Sequence, residues 1–198
     1  MSNRFEARYQ TGELPWDIRR PDFNLIETIE NFQIKPGKAI DIGCGTGDNV
    51  FWLLQNGFDA AGMDYSKTAI SRAKQKAATI DINPEFYVSD ILQMEIPGAP
   101  YDFVFDRGCF HTFDEDRERS TFAKRVHAAL NDDGHWLSLI GSVDDGRLMM
   151  GPPKRTAQQI VTAVEPYFEI LMLKQSRFES DDEIPSKIWV CLMRKRAK

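Results

Sequence analysis

The clearest chemical signal in the chain is the run Ala39-Ile40-Asp41-Ile42-Gly43-Cys44-Gly45-Thr46-Gly47. A strand that runs into G-x-G-x-G and then a helix lets backbone approach a bound molecule where any Cβ would collide. The next apolar run, FDAAGMD (58–64), ends in Asp64, seventeen residues after Gly47. A carboxylate there can accept both hydrogen bonds of a ribose diol. In open α/β sheets ligands sit beyond the carboxyl ends of the strands, and the order strand, glycine turn, helix, strand, terminal acid puts these residues at that edge. Two ligand classes share this logic. A dinucleotide fingerprint asks for Gly or Ala at position 48, but the residue is Asp48, whose charge would sit beside a pyrophosphate. A sulfonium cofactor has no phosphate and tolerates both Asp48 and Asp41. His111 lies a few residues beyond the apolar run YDFVFD (101–106), within reach of an acceptor, and imidazole is a base suited to neutral pH. His111, His127 and His135 lack metal-ligand spacing, so no metal is expected. Neither a G-x-S-x-G elbow nor a P-loop occurs, which argues against hydrolase and kinase chemistry.

The elements that must position these residues alternate along the chain. Strands are predicted at 38–42, 58–64, 85–90, 101–106 and 135–142. Helices are predicted over 22–32, from Asp48 to a stop at Gly57, from an N-cap at Ser66 to Thr79, and from the acidic start at 114–116 to a stop at Asp133-Gly134. Thr156 and Gln159 form a capping box for a last helix. FEILMLKQSRF (168–178) and KIWVCLMR (187–194) follow with only a short connection, which suits an antiparallel pair. The expected fold is single-domain α/β, an open, mostly parallel sheet with helices on both faces and a C-terminal antiparallel hairpin.

Length and composition bound the rest. The 198 residues suggest one domain. With 25 Lys+Arg against 30 Asp+Glu, a net charge of −5, the chain lacks the overall footprint of a nucleic-acid binder. A hydrophobic content of 42% excludes a disordered chain. Apolar runs are too short for a membrane-spanning helix, and the polar N-terminus has no secretory h-region, so a cytoplasmic protein is expected. Cys44, Cys109 and Cys191 are odd in number and lack CxxC spacing, which leaves them as small buried hydrophobes in a reducing compartment.

Over nearly its whole length the chain resembles a class I S-adenosylmethionine-dependent methyltransferase. DIGCGTG (41–47), Asp64, Ser89-Asp90-Ile91 and YDFVFD (101–106) fall in that family's order. The resemblance implies a Rossmann-like, seven-stranded sheet and S-adenosylmethionine as cofactor. It also implies one methyltransferase domain over 1–198, with an N-terminal lid and helix at 1–35 and a cofactor-binding core at 36–198. Gly43, Cys44, Gly45 and Gly47 would pass along the methionine and ribose portions, with Asp41 in the same set. Asp64 would hold the ribose hydroxyls, Tyr65 would pack beside the adenine, and Ser66 completes that edge. Asp90 would bond the adenine amino group and Ile91 line the ring. Asp106 and Arg107 would border the methionine end and the acceptor pocket, and Arg107 joins His111 as a catalytic candidate. More narrowly, Tyr9-Gln10-Thr11-Gly12-Glu13-Leu14-Pro15-Trp16-Asp17 is similar to the N-terminal segment of the thiol and thiopurine methyltransferase-like group, as is Gly151-Pro152-Pro153. RGCFHTF (107–113) follows no substrate-specific pattern, which leaves the acceptor open.

The expected activity is methyl transfer to a small-molecule acceptor, with a thiol or related soft nucleophile as one class. A thiolate already ionised near pH 7 needs no strong base, whereas an alcohol or amine does. Trp16, Phe110 and Phe113 can wall such a pocket, and Arg107, Arg147 or Arg155 can hold a carboxylate. A non-catalytic S-adenosylmethionine-binding regulatory module is the alternative, and a dehydrogenase a third. No nucleic-acid or membrane partner is expected, and the chain is expected as a monomer or homodimer. Residues 5–21, with Phe5, Tyr9, Leu14 and Trp16 among many charges, are expected to form a lid. Pro15 and Pro21 keep the stretch between them extended or turned. Trp16 would then shield the sulfonium and offer it a ring face, and Arg19 or Arg20 would pair with the cofactor's carboxylate.

Overall fold

The computed structural model describes residues 4–146 and 153–196. Its strands are β1 (Lys38–Ile42), β2 (Asp59–Asp64), β3 (Phe86–Val88), β4 (Tyr101–Arg107), β5 (Leu130–Gly141), β6 (Phe168–Arg177) and β7 (Lys187–Lys195). They form a single seven-stranded sheet in the order β3-β2-β1-β4-β5-β7-β6. The pairs β1–β2, β1–β4, β2–β3 and β4–β5 are parallel. Only β7 runs against its neighbours β5 and β6. The expected sheet and its hairpin are therefore present.

The helices are α1 (Arg4–Thr11), α2 (Phe23–Asn31), α3 (Asp48–Gln55), α4 (Lys67–Thr79), α5 (Asp116–Ala129) and α6 (Ala157–Val164). Alternation along the strands divides the core between two faces. Ile40, Ile42 and Val104 pack with Phe122 and Val126 of α5 and Ile160 of α6. Ala39, Phe103 and Phe105 pack with Leu25 of α2, Leu53 of α3 and Ala73 of α4. The chain passes from β1 outward through β2 to β3, then returns to β4 on the other side of β1. The switch point therefore lies between the carboxyl ends of β1 and β4, where such sheets hold ligands.

Local signals set most boundaries. The Ser66 hydroxyl accepts from Ala69 N to cap α4, and Thr156 and Gln159 close the capping box of α6. Two expectations need correction. The strand expected at 85–90 shortens to β3, and 89–91 turn out of the sheet. The helix expected to stop at Asp133-Gly134 ends at Ala129, and β5 starts at once because Leu130 pairs with Tyr101 across a register shift in β4. Pairing on β4 outweighs the local turn signal. The first part of the lid is helical: α1 carries an i,i+4 bond from Gln10 to Glu6, and Gly12 at φ 83° ends it. Between Pro15 and Pro21 the chain turns, with Arg19 at φ 58°.

Candidate active site

After β1 the chain turns so tightly that its own amides close the loop. The N–H groups of Gly43 and Cys44 both donate to the Met63 carbonyl at the end of β2, at 2.7 and 3.0 Å. Gly45 N donates to Asp64 Oδ2 at 3.0 Å and Gly47 N to the Cys44 carbonyl at 3.0 Å. A Cβ on Gly43 (φ 74°) would lie 2.9 Å from Cys109 Cβ, and one on Gly45 (φ 54°) 2.7 Å from the Tyr9 hydroxyl. Both positions need glycine for space as well as for backbone conformation. Phosphate cradles present unoccupied amides at a helix N-terminus. Here four of the loop's amides are taken, and Asp48 at the helix start pairs with Lys76 at 2.7 Å. Cys44 turns its thiol into the core, toward Gly62.

Three acids surround the loop, Asp41 and Asp106 fully buried and Asp64 partly so. Neither oxygen of Asp41 has a hydrogen-bond partner among the described residues. Burial and the neighbouring Asp106 charge push its pKa well up, and the Asn49 side chain pulls the other way. Asp64 accepts from Ser66 N at 2.8 Å as well as from Gly45 N, so its carboxylate is aimed by backbone. Burial still raises it to about 6. Asp106 accepts from Cys109 N, Phe110 N and Trp136 Nε1, and burial raises it to about 6. That carboxylate shapes the turn after β4.

The remaining cofactor candidates lie along the same edge. Tyr65 is exposed, Ile91 is buried, and Asp90 accepts from Leu92 N and Gln93 Nε2. The Ser66 hydroxyl both caps α4 and donates to Glu6 at 2.6 Å, so helix and lid already occupy it.

The lid is fastened by side chains. Glu6 also accepts from the Thr68 hydroxyl at 2.5 Å, and the Ser66 and Thr68 hydroxyls hold its pKa down to about 2. Arg72 donates to the Tyr9 carbonyl at 2.6 Å. The Tyr9 hydroxyl, on Gly45, accepts from Trp16 Nε1 at 3.0 Å. One face of Trp16 carries the Arg8 guanidinium at 5.1 Å, so Trp16 already holds a cation from its own chain. Arg20 pairs with Glu179 and Asp181 rather than standing toward the glycine loop, and Arg19 is exposed.

Arg107 ends β4 as a hub. It pairs with the fully buried Asp22 at 2.8 Å, donates to the Trp16 and Glu179 carbonyls, and lies 4.9 Å from the Phe178 ring. Asp22 in turn caps α2 and accepts from Glu179 N. His111 is buried in the turn after β4, its Nδ1 facing Gly141 N at 2.8 Å. Phe110 and Phe113, expected to wall a pocket, instead pack on Phe122 at 5.6 and 5.7 Å, within the core. Arg155 donates to the His111 and Phe113 carbonyls and pairs with Asp114. Arg147 and the Gly151-Pro152 part of the last motif lie outside the described residues. Sequence reasoning missed Asp22, and took Tyr9 for a lid aromatic only; no local spacing distinguishes either.

Residues 39–134 match the family described as "Methyltransferase domain". That match spans just under half of the chain, which is similar over this stretch to methyltransferase domains. Among similar proteins, "Probable thiol methyltransferase 2" of Arabidopsis thaliana is 29% identical over 153 residues, 77% of this chain and 66% of that protein. The chain thus spans just under two thirds of that relative's length. "Thiocyanate methyltransferase 1" of Brassica oleracea is 25% identical over 189 residues, 93% of this chain and 78% of that protein. The solved structure titled "Conversion of a Disulfide Bond into a Thioacetal Group during Echinomycin Biosynthesis" superposes with a TM-score of 0.83 at 24% identity, over 98% of this chain and 93% of that one. The methyltransferase fold is shared, and structures of this fold have been solved with S-adenosylmethionine or its product bound.

Proposed function

We propose that this chain transfers a methyl group to a small-molecule acceptor from S-adenosylmethionine held over the glycine loop. The observation that carries the reading is the loop itself: four of its amides are occupied, and beside it lies a fully buried acid, Asp41, with no hydrogen bond of ordinary geometry among the described residues and the Asn49 side chain nearby. Such a site suits a ligand that brings cations and donors, not a phosphate. An arriving ammonium or sulfonium would favour the charged form of Asp41 that burial now opposes. Asp64 would accept from the ribose hydroxyls, with Tyr65 and Ile91 beside the adenine and Asp90 at its amino group. Gly43, Cys44, Gly45 and Gly47 would supply close backbone contact. When bound, the cofactor supplies an electrophilic methyl on a sulfonium. The lid, through Tyr9 and Trp16, excludes water from that region, and Arg107 holds it shut.

The acceptor class we assign is a thiol or related soft sulfur nucleophile, supported by the names of the two plant relatives. We assign no nucleic-acid partner, given the net charge of −5. No helix among the described residues is long and apolar enough to cross a membrane. The free cysteines suit the cytoplasm. Calorimetry should show binding of S-adenosylmethionine and none of NAD, and incubation with aryl and alkyl thiols should release S-adenosylhomocysteine. Binding of NAD in place of the sulfonium, or no product with any thiol, halide or phenol, would overturn the reading.

A further inference from the structure

The two edges of the sheet differ in length. β3 closes one edge with three residues, too few to template another strand. β6 leaves ten residues along the other. Among the described residues, no backbone bond from 169–176 runs anywhere but to β7. A long edge with unpaired N–H and C=O groups is a template for a further strand. Four apolar side chains in a row, Ile170, Leu171, Met172 and Leu173, stand on it only partly covered. Their faces do not simply alternate. Ile170 and Leu173 pack on the core beneath α5 and α6, whereas Leu171 and Met172 pack on the core beneath α2, α3 and α4. The cause is a register irregularity against β7 between Ile170 and Met172, which gives β6 one extra residue. Glu169 and Lys174 flank the run, both exposed and both on the α2 side. Lys174 reaches Glu27 of α2, and Glu169 reaches Arg194, two residues beyond Leu192 of that core. From Glu169 to Lys174 the order of faces is therefore the same in either direction, with an acid at one end and a base at the other.

We propose that β6 is the edge on which a second copy of this chain docks, pairing antiparallel through its own β6. The two-fold axis stands normal to the sheet, between Leu171 and Met172. It sets Glu169 against Lys174, Ile170 against Leu173 and Leu171 against Met172, and each pair occurs twice because both copies offer the same patch. Residues directly opposite in an antiparallel pair must share a face. All three pairs do. Moving the axis onto Leu171 or onto Met172 sets side chains of opposite faces against each other. The extra residue in β6 is what makes the matching register two-fold, since regular alternation would turn Ile170 and Leu173 to opposite faces. Each copy also sets its acid against its partner's base, a favourable cross-strand pairing. A strand of unrelated sequence has no reason to match this reversal, whereas a second copy matches it by symmetry. β6 stands three places from β4 in the sheet, so the glycine loops of both copies stay open.

The test exchanges the flanking charges. Sedimentation of the wild-type chain at rising micromolar concentrations should show a monomer–dimer equilibrium that stops at the dimer. Glu169→Lys sets base against base, Lys174→Glu sets acid against acid, and either should weaken dimerisation about tenfold or more. An equimolar mixture of the two single variants should dimerise again, because one copy then presents only bases and the other only acids. The chain carrying both changes should dimerise by itself. Both side chains are exposed, so circular dichroism of every variant should match the wild type. The wild type gives a second readout that no folding defect can obscure: amide exchange over 170–173 should slow as concentration rises, while exchange in β3 stays constant. A monomer at every concentration, a dimer indifferent to both single substitutions, or single variants that stay apart when mixed would each overturn the proposal. None of these measurements depends on methyl transfer, so the interface and the proposed activity stand or fall separately.

Discussion

At Gly45 two segments of the molecule meet, one from the sheet and one from the N-terminus, and different forces hold them. The glycine loop is closed by its own amides on Met63, Cys44 and Asp64, and no side chain but Asp64 is needed to shape it. Among the described residues the lid makes no backbone bonds to the sheet. It depends on Glu6 against α4, on Tyr9 and Trp16 against each other, and on Arg107 and Asp22 at the far end. A backbone-built loop has one conformation, set by three glycines at positive φ. A segment fastened by charged side chains can be released one contact at a time, which suits a cover that must admit and discharge a ligand.

The largest effect should come from the hub that ties lid to sheet. Arg107→Ala leaves Asp22, fully buried, without its charged partner, and removing one member of a buried pair costs about 3–5 kcal/mol. Chemical denaturation should show that loss, and the 4–22 segment should become open to protease under native conditions. Unchanged stability would mean that the capping and amide bonds of Asp22 suffice without the arginine.

A smaller loss, confined to the loop side, is expected from Asp64→Ala. It should weaken S-adenosylmethionine binding by about 1–3 kcal/mol by calorimetry. The wild type supplies the pH control. Burial raises Asp64 to about 6, so the folded chain binds this proton more tightly than the unfolded one, and the group favours folding as pH falls below 6. Ribose hydroxyls donate to the carboxylate, so cofactor affinity should be flat above pH 6 and fall below it. Affinity that ignores pH between 5 and 7 would remove Asp64 from the site.

The smallest effect should come from Glu6→Gln, and its pH dependence has the opposite sign. The Ser66 and Thr68 hydroxyls hold Glu6 at about 2, below its ordinary 4.5. Its contribution to lid docking is therefore complete above pH 4.5 and lost as pH falls toward 2. Amide hydrogen exchange in residues 4–11 should accelerate modestly in the variant at pH 7. If exchange there is the same in both proteins, Glu6 does not hold the lid.

The loop side of this comparison was legible in the sequence and most of the lid side was not. DIGCGTG, its flanking strand and helix, and Asp64 lie within a short span, and each step is fixed by near neighbours: positive φ at glycine, the Gly47-to-Cys44 turn, the pairing of β1 with β2. Ser66 and the Thr156–Gln159 box are likewise local, because a cap is a bond between residues two or three apart. The two prolines did foretell a turned segment before α2, but not α1 ahead of it.

What the sequence determined by itself, then, was the order of elements, the two-faced sheet and the acid-flanked glycine turn, since periodicity and glycine conformation act within a few residues of chain. Tertiary structure alone decided which distant groups share one space. Tyr9 comes to rest on Gly45, Arg107 joins Asp22 to Glu179, Leu130 is drawn into β5 by Tyr101, and Gly141 N meets His111 Nδ1. Each of these contacts spans tens of residues and exists only because the sheet brings distant segments side by side. No local pattern encodes such a meeting, because its geometry belongs to the packed sheet and not to either segment.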